Sequence, residues 1–137
     1  MKNKRQLIRF ALVGGTNTLI DIGLLFGLVA IGLPKLTANT ISTGIAFVFS
    51  FFANRHYTFK ASGAAIHRQI ILFIIVTLFG LWVLQNGVIY LIQPWIESVL
   101  RQHSLALFIA KLIATGVSLV WNYVLYDQVV FTQPRNR

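Results

Sequence analysis

Four long apolar stretches organise the chain: Leu7 to Leu33, Leu36 to Ala53, Gln69 to Ile92 and Ser104 to Tyr126. A helix needs about 20 predominantly apolar residues to cross a hydrocarbon core about 30 Å thick, and each stretch is close to that length. The pattern predicts an all-α, polytopic membrane protein with four transmembrane helices. A secretory signal is the alternative for the first stretch, since "MKNKRQ" is a basic lead-in, but Asp21 interrupts the apolar run, no small-x-small cleavage site stands out, and three more spans follow. The connections are short by this reading, the longest being residues 54–68, so residues 1–137 are expected to form a single four-helix domain.

The pattern also repeats. Sliding the chain by 72 positions lays "ANTISTGIAFVFSFFANRHYTF" (38–59) on "AKLIATGVSLVWNYVLYDQVVF" (110–131) without a gap. Ala38 meets Ala110, Thr43 meets Thr115, Gly44 meets Gly116 and Phe59 meets Phe131. A weaker shift of 60 pairs the other two spans, placing Gly27 on Gly87 and Pro34 on Pro94, with the extra residues of the second copy expected in a loop at about 95–106. The chain therefore reads as two tandem helical hairpins inserted the same way up, a parallel internal repeat. Both copies carry small residues at every fourth position: Ala38, Ser42, Ala46 and Ser50, then Ala110, Ala114, Ser118 and Asn122. Such a stripe lets helix backbones approach closely in lipid, so both faces are expected to be packed. Gly23 and Gly27 form a similar patch on the first span, suited to an intramolecular contact or to a homodimer.

Composition confirms the medium, with 56% apolar and 11% charged residues and a mean hydropathy of +0.72. The net charge of +9 would suggest nucleic acid in a soluble protein, but here its distribution is what matters. Lys2, Lys4, Arg5 and Arg9 precede the first span, Arg55, Lys60 and Arg68 lie between the second and third, and Arg135 and Arg137 follow the fourth. The opposite side holds Lys35, Arg101 and Glu97. By the positive-inside rule, both termini and the middle loop are expected to be cytoplasmic, where the cations meet anionic lipid headgroups. No nucleic-acid partner is expected, because no module remains outside the spans to bind one.

Polar residues within the spans supply the candidate site. An Asp near a helix centre costs about 2.5 to 3.5 kcal/mol on an insertion scale, so Asp21 and Lys111 need partners. At 1.5 Å rise per residue, Asp21 lies about 21 Å above Leu7 and Lys111 about 10 Å below Ser104, which puts them at one level. Asn17 is one turn from Asp21, and Asn39 is the repeat counterpart of Lys111. Asn17, Asp21, Asn39 and Lys111 are thus expected to form a buried polar cluster, either an ion pair that fixes helix register or a site for a polar headgroup. A second layer lies at the cytoplasmic helix ends: Arg9, Asn54, Arg55, His56, Arg68, Tyr126 and Asp127. Arg55 follows Asn54 and precedes Tyr57 and Phe59, so a planar phosphate-binding fork stands among interfacial aromatics.

No enzyme is expected, since neither Ser-His-Asp nor metal-ligand spacing is visible, and His56, His67 and His103 lie apart. Cysteine is absent, which removes disulfides and thiolate metal sites. No cofactor is predicted.

"RFALVGGTNTLID" (9–21), "FSFFANRHYTF" (49–59) and "KLIATGVSLVWNYVLYDQVVF" (111–131) together resemble the GtrA-like family of small four-helix bacterial membrane proteins. The likeness covers nearly the whole chain and rests most on Arg9, Phe10, Gly14, Asn17, Asp21, Asn39, Asn54, Arg55, Phe59, Lys111, Asn122 and Phe131. The resemblance implies a multi-pass protein of the bacterial cytoplasmic membrane that flips a polyprenyl-phosphate-linked sugar, such as undecaprenyl-phosphate glucose, for modification of cell-surface polysaccharide. The alternative is a non-transporting accessory subunit for a membrane glycosyltransferase. Arg9, Asn17, Asp21, Asn39, Asn54, Arg55, Lys111, Asn122 and Tyr126 are the residues expected to meet headgroup and phosphate. The expected partners are the lipid-linked sugar, membrane lipids, a glycosyltransferase and a second copy of the chain. Asp127 departs from such proteins, where the second copy often has a basic or neutral residue, and makes the two copies unequal.

Overall fold

The computed structural model describes residues 4–63 and 65–132; Lys2, Arg135 and Arg137, counted above among the cytoplasmic cations, lie outside the described residues. Helix α1 covers Lys4–Ala30 and helix α2 covers Lys35–Ala53, which widens into a π-helical turn over Asn54–Thr58. Helix α3 (Ile66–Leu78) passes through a second π segment, Phe79–Leu84, directly into α4 (Gln85–Leu100). Helix α5 (His103–Leu125) ends in a third π turn over Tyr126–Val130. The described residues contain no strand, and four helices, counting Ile66–Leu100 as one, are long and apolar enough to cross a membrane.

These helices form two compact units, residues 4–63 and residues 65–132, each one hairpin. In the first, α1 packs along α2 and its π turn. The link between them is set by backbone chemistry: Leu33 N–H bonds to Leu28 O at 3.1 Å and Gly32 N–H to Val29 O at 3.0 Å, with Gly32 at a φ of 100°. That is a Schellman cap, which glycine enters without strain, and Pro34 then starts α2, its fixed φ suiting a helix entrance. In the second unit α4 packs along α5, and α3 along the π turn that ends α5. Its link is shorter, with Arg101 in the left-handed region at a φ of 54° and its N–H on Glu97 O at 2.8 Å.

The 72-residue repeat is visible in the backbone. The π turns at Asn54–Thr58 and Tyr126–Val130 occupy equivalent positions, and each is closed by the same bond, Phe59 N–H to Asn54 O at 2.9 Å and Phe131 N–H to Tyr126 O at 2.8 Å. The small stripe is buried in both copies, at Ala38, Ser42 and Ala46 and at Ala110, Ala114, Ser118 and Asn122. The shift of 60 between the first helices of the copies is corrected. Phe10 meets Phe59 and Phe73 meets Phe131, so the contacts at this end are offset by 63. Pro34 caps α2 whereas Pro94 lies inside α4, so these prolines are not equivalent.

The expected loop at about 95–106 is also corrected: helix continues to Leu100 and resumes at His103. The added residues of the second copy lengthen a helix instead of a loop. Hydropathy locates where apolar sequence ends, and Gln93, Glu97 and Ser98 end it, but a helix can continue into the polar interface with its backbone bonds intact. Ile66–Leu100 spans 35 residues, about 50 Å at helical rise, well beyond a hydrocarbon core of about 30 Å.

Gly80 sits at a close approach between helices within the second unit. A Cβ there would lie 2.9 Å from Asn122 Oδ1, 3.0 Å from Ser118 Oγ and 3.1 Å from Trp121 Cδ1. The Trp121 indole N–H donates to Val76 O at 3.2 Å, which holds that ring in place. Gly80→Ala should therefore destabilise the protein by about 1 to 3 kcal/mol in thermal or denaturant unfolding in micelles. Gly87→Ala, with open space around the new Cβ, should be neutral or stabilising by up to about 1 kcal/mol. Equal stability of the two variants would show that the Gly80 contact does not limit packing.

Candidate functional site

In the first unit two cations converge on the turn that ends α2. Antiparallel packing brings the start of α1 to this end, where the Arg9 guanidinium sits 5.2 Å from the centre of the Tyr57 ring and its Nη1 donates to Tyr57 O at a long 3.4 Å. The ring face attracts the cation. Phe10 meets Phe59 edge to face at 6.4 Å beside it. Arg55 is buried, with 7% of its surface exposed, although it lies at the end of a membrane span. Its Nη2 donates to Gly63 O at 2.9 Å, and its own carbonyl accepts from Ala61 N–H at 2.8 Å. Lys60 at φ 50° and Gly63 at φ 104° bend the chain so that residues 60–63 return to Arg55.

Another partner of Arg55 fixes a tautomer. Arg55 Nη1 lies 3.1 Å from His56 Nε2, and His56 Nδ1 lies 3.0 Å from Phe52 O. A guanidinium only donates and a carbonyl only accepts, so the imidazole carries its proton on Nδ1. The phosphate-facing fork expected from sequence is thus already partly engaged by its own chain.

Asn54 and Thr58 lie four residues apart on the same turn, and both are buried. Asn54 Nδ2 donates to Ser50 O at 2.9 Å and to Ser50 Oγ at 3.2 Å, which sets the orientation of the amide. Asn54 Oδ1 and Thr58 Oγ1 are buried with no hydrogen-bond partner among the described residues. A buried polar atom in that condition costs about 1 to 3 kcal/mol.

Farther along the first hairpin, Asp21 is half-buried and accepts hydrogen bonds from α2. Ser42 Oγ lies 2.7 Å from Asp21 Oδ1 and Thr43 Oγ1 lies 3.3 Å from it. Ser42 Oγ is also 3.1 Å from Asn39 O, and its single proton serves the shorter, charged partner. The side chain of Asn39 is exposed, and Asn17 is half-buried with its Oδ1 lacking a partner among the described residues. In the second hairpin Lys111 donates to Gln85 Oε1 at 2.7 Å. Each mid-span charge therefore has a hydrogen-bond partner within its own unit. The sequence marks Ser42 as a small packing residue but not as a hydrogen-bond donor to Asp21, and the one signal for Gln85 is that it is an amide inside an apolar run.

The second unit closes its π turn differently. Tyr126 is buried, its hydroxyl bonds to that of Thr77, and its ring stacks on Phe73 with centroids 4.8 Å apart. Thr77 Oγ1 also lies 2.6 Å from Phe73 O. Asn122 is buried against Gly80, and its Oδ1 has no hydrogen-bond partner among the described residues. His103 and Glu97 pair at 3.1 Å on an exposed surface, and no group of three or more His, Cys, Asp or Glu that could hold a metal occurs among the described residues.

Four long apolar helices in two repeated hairpins, with charges satisfied inside the spans, define an all-helical, multi-pass membrane protein. The chain belongs to the family described as "GtrA/DPMS, transmembrane domain", whose model matches residues 9–131, in line with the resemblance seen in the sequence. It is also similar to the uncharacterized membrane protein YngA of Bacillus subtilis (strain 168), at 28% identity over 120 residues that cover 88% of this chain and 75% of that protein.

The Lys111 contact gives a direct test of intraspan polar pairing. In a double-mutant cycle of Gln85→Leu and Lys111→Met, read as unfolding free energy in micelles, each single change should destabilise by stranding its partner, and the double variant should recover part of the loss. A coupling of about 1 to 2 kcal/mol is expected for a charge-assisted bond in this setting. A coupling below about 0.3 kcal/mol would remove this bond from the account of stability.

Proposed function

We propose that the protein translocates a polyprenyl-phosphate-linked monosaccharide, such as undecaprenyl-phosphate glucose, across the bacterial cytoplasmic membrane for modification of cell-surface polysaccharide, and that it does so without enzymatic chemistry. The observation that carries this reading is the gathering of Arg9 and Arg55 at one helix end, around a turn whose Asn54 and Thr58 retain unpartnered oxygens. A lipid phosphodiester is an anion that arrives at the interface on an apolar tail, and two guanidinium groups beside Tyr57 and Phe59 suit both parts. Family membership supports the same reading.

The sugar is the costly part of the cargo, because its hydroxyls lose their water in the bilayer. Asn17, Asp21 and Asn39 in the first unit and Lys111 and Asn122 in the second supply polar groups along their spans that would offset this loss, whereas Tyr126, expected from sequence to join them, is buried with its hydroxyl on Thr77. Both termini and the 59–65 connection are cytoplasmic in this scheme, so Arg9 and Arg55 stand on the loading side, with membrane lipids surrounding the spans.

One observation favours a second reading. Arg55 is buried and already bonded to Gly63 and His56, which suits a residue that shapes a cytoplasmic loop for a partner such as a glycosyltransferase. In that case the protein is an accessory subunit that carries no cargo, alone or as a homodimer.

Purified protein in liposomes, loaded with a labelled polyprenyl-phosphate sugar, separates the two. The translocase reading expects transfer between leaflets, reduced about tenfold by Arg55→Lys at unchanged abundance, since lysine lacks the planar two-pronged donor set. No movement by the parent protein, together with loss of surface glycosylation in cells lacking it, would establish the accessory role instead.

Orientation is tested on the cysteine-free parent. An impermeant thiol reagent applied to intact cells should label Ser98→Cys and spare Ser62→Cys and Thr132→Cys. Labelling of Ser62→Cys would put Arg55 on the wrong side for loading.

A further inference from the structure

We infer that the π turn at Asn54–Thr58 is a subsite for a sugar hydroxyl, and that the equivalent turn of the second repeat is closed by its own side chains. The inference rests on the translocase reading and specifies which part of the cargo this turn recognises.

The directions of the hydrogen bonds define what this turn can receive. Asn54 Nδ2 donates to Ser50 O at 2.9 Å and to Ser50 Oγ at 3.2 Å, which orients the amide, and its buried Oδ1, an acceptor only, has no partner among the described residues. A phosphodiester has no proton to offer it. A hydroxyl does, and Thr58 Oγ1, also buried and unpartnered, can give or receive a second bond. The phosphate belongs instead to the neighbouring cations: Arg55 is next in sequence to Asn54, and Arg9 reaches the carbonyl of Tyr57, next to Thr58. The turn therefore combines anion donors with hydroxyl acceptors, which matches a glycosyl phosphodiester better than a bare lipid phosphate. Entry to the buried atoms requires the turn to open. One tether that holds it is the Arg55 Nη2 bond to Gly63 O, at 2.9 Å, and a phosphate oxygen is a stronger acceptor for the same donor.

The repeat supplies the internal control. The counterparts of Asn54, Arg55 and Thr58 at the 72-residue shift are Tyr126, Asp127 and Val130. There the buried hydroxyl is satisfied by Thr77, the ring is covered by Phe73, and Val130 is 1% exposed with no polar atom in its side chain. The cation is replaced by an anion. The same backbone turn is thus sealed in one copy and chemically unsatisfied in the other, so the unpartnered atoms do not follow from the π geometry itself.

The test uses the full chain in lipid nanodiscs, with undecaprenyl phosphate and undecaprenyl-phosphate glucose as probes. The parent should bind the glucose-bearing lipid more tightly. Thr58→Val, which installs the side chain of the second repeat, should lower that preference about fivefold while leaving affinity for undecaprenyl phosphate and thermal stability undiminished. Thr58→Ser, which keeps the hydroxyl, should retain the preference; Thr58→Ala replaces the valine variant should the latter fail to assemble. Retention of the full preference by Thr58→Val, an equal loss in Thr58→Ser, or no preference in the parent would overturn the subsite and leave lipid-phosphate recognition standing. Failure of the parent to bind either lipid would instead overturn the translocase reading, and the subsite with it.

Discussion

Inside a bilayer no hydrophobic effect draws helices together, so the structure depends on close backbone approach along sides built from small residues. In the first unit that side of α2 is Ala38, Ser42 and Ala46, and Ser42 is where α2 reaches the Asp21 carboxylate of α1. In the second it is Ala110, Ala114, Ser118 and Asn122, and there Gly80 lets the π segment between α3 and α4 approach Ser118 and Asn122. Many larger side chains face the other way. Leu19, Phe26, Trp82, Tyr90 and Val120, for example, are each more than 60% exposed, as lipid-facing residues should be. Close approach also brings polar groups within hydrogen-bond reach, so packing and polar satisfaction are one condition.

That condition explains what could be read in advance. Apolar length and the 72-residue repeat are properties of the chain itself, and the all-helical class and the small buried stripes follow from them, whereas the π turns at the ends of α2 and α5 carry no such signal. Gln85, Ser42 and Thr43 were harder to assign, because which neutral side chain answers a charge depends on the register between antiparallel helices, and the sequence gives no direct measure of register. The α3–α4 helix outran its apolar pattern for a related reason. A helix satisfies its own backbone, so Gln93 and Glu97 can leave the membrane without ending it.

The burial of Arg55 was illegible for a different reason. Its neighbours, Asn54 before it and Tyr57 and Phe59 after it, read as the setting of a guanidinium open to a lipid phosphate at the interface. Here Lys60 and Gly63 adopt left-handed backbone and return the chain to the guanidinium, and only the sharp turn at Gly63 has a plain signal in residue type. The repeat then becomes informative through its differences. Equivalent turns carry Asn54, Arg55 and Thr58 in one copy and Tyr126, Asp127 and Val130 in the other, so a shared scaffold is combined with unpartnered buried oxygens at one end and a satisfied hydroxyl at the other.

That division between ends is the claim most open to direct contradiction. Photo-crosslinking with a polyprenyl-phosphate glucose analogue carrying a diazirine on the sugar, followed by peptide mapping of the full chain in nanodiscs, reads it in one measurement. Adducts within residues 54–63, and none within 126–131, are the predicted result. Equal labelling of both turns, or labelling of the second alone, would contradict the account.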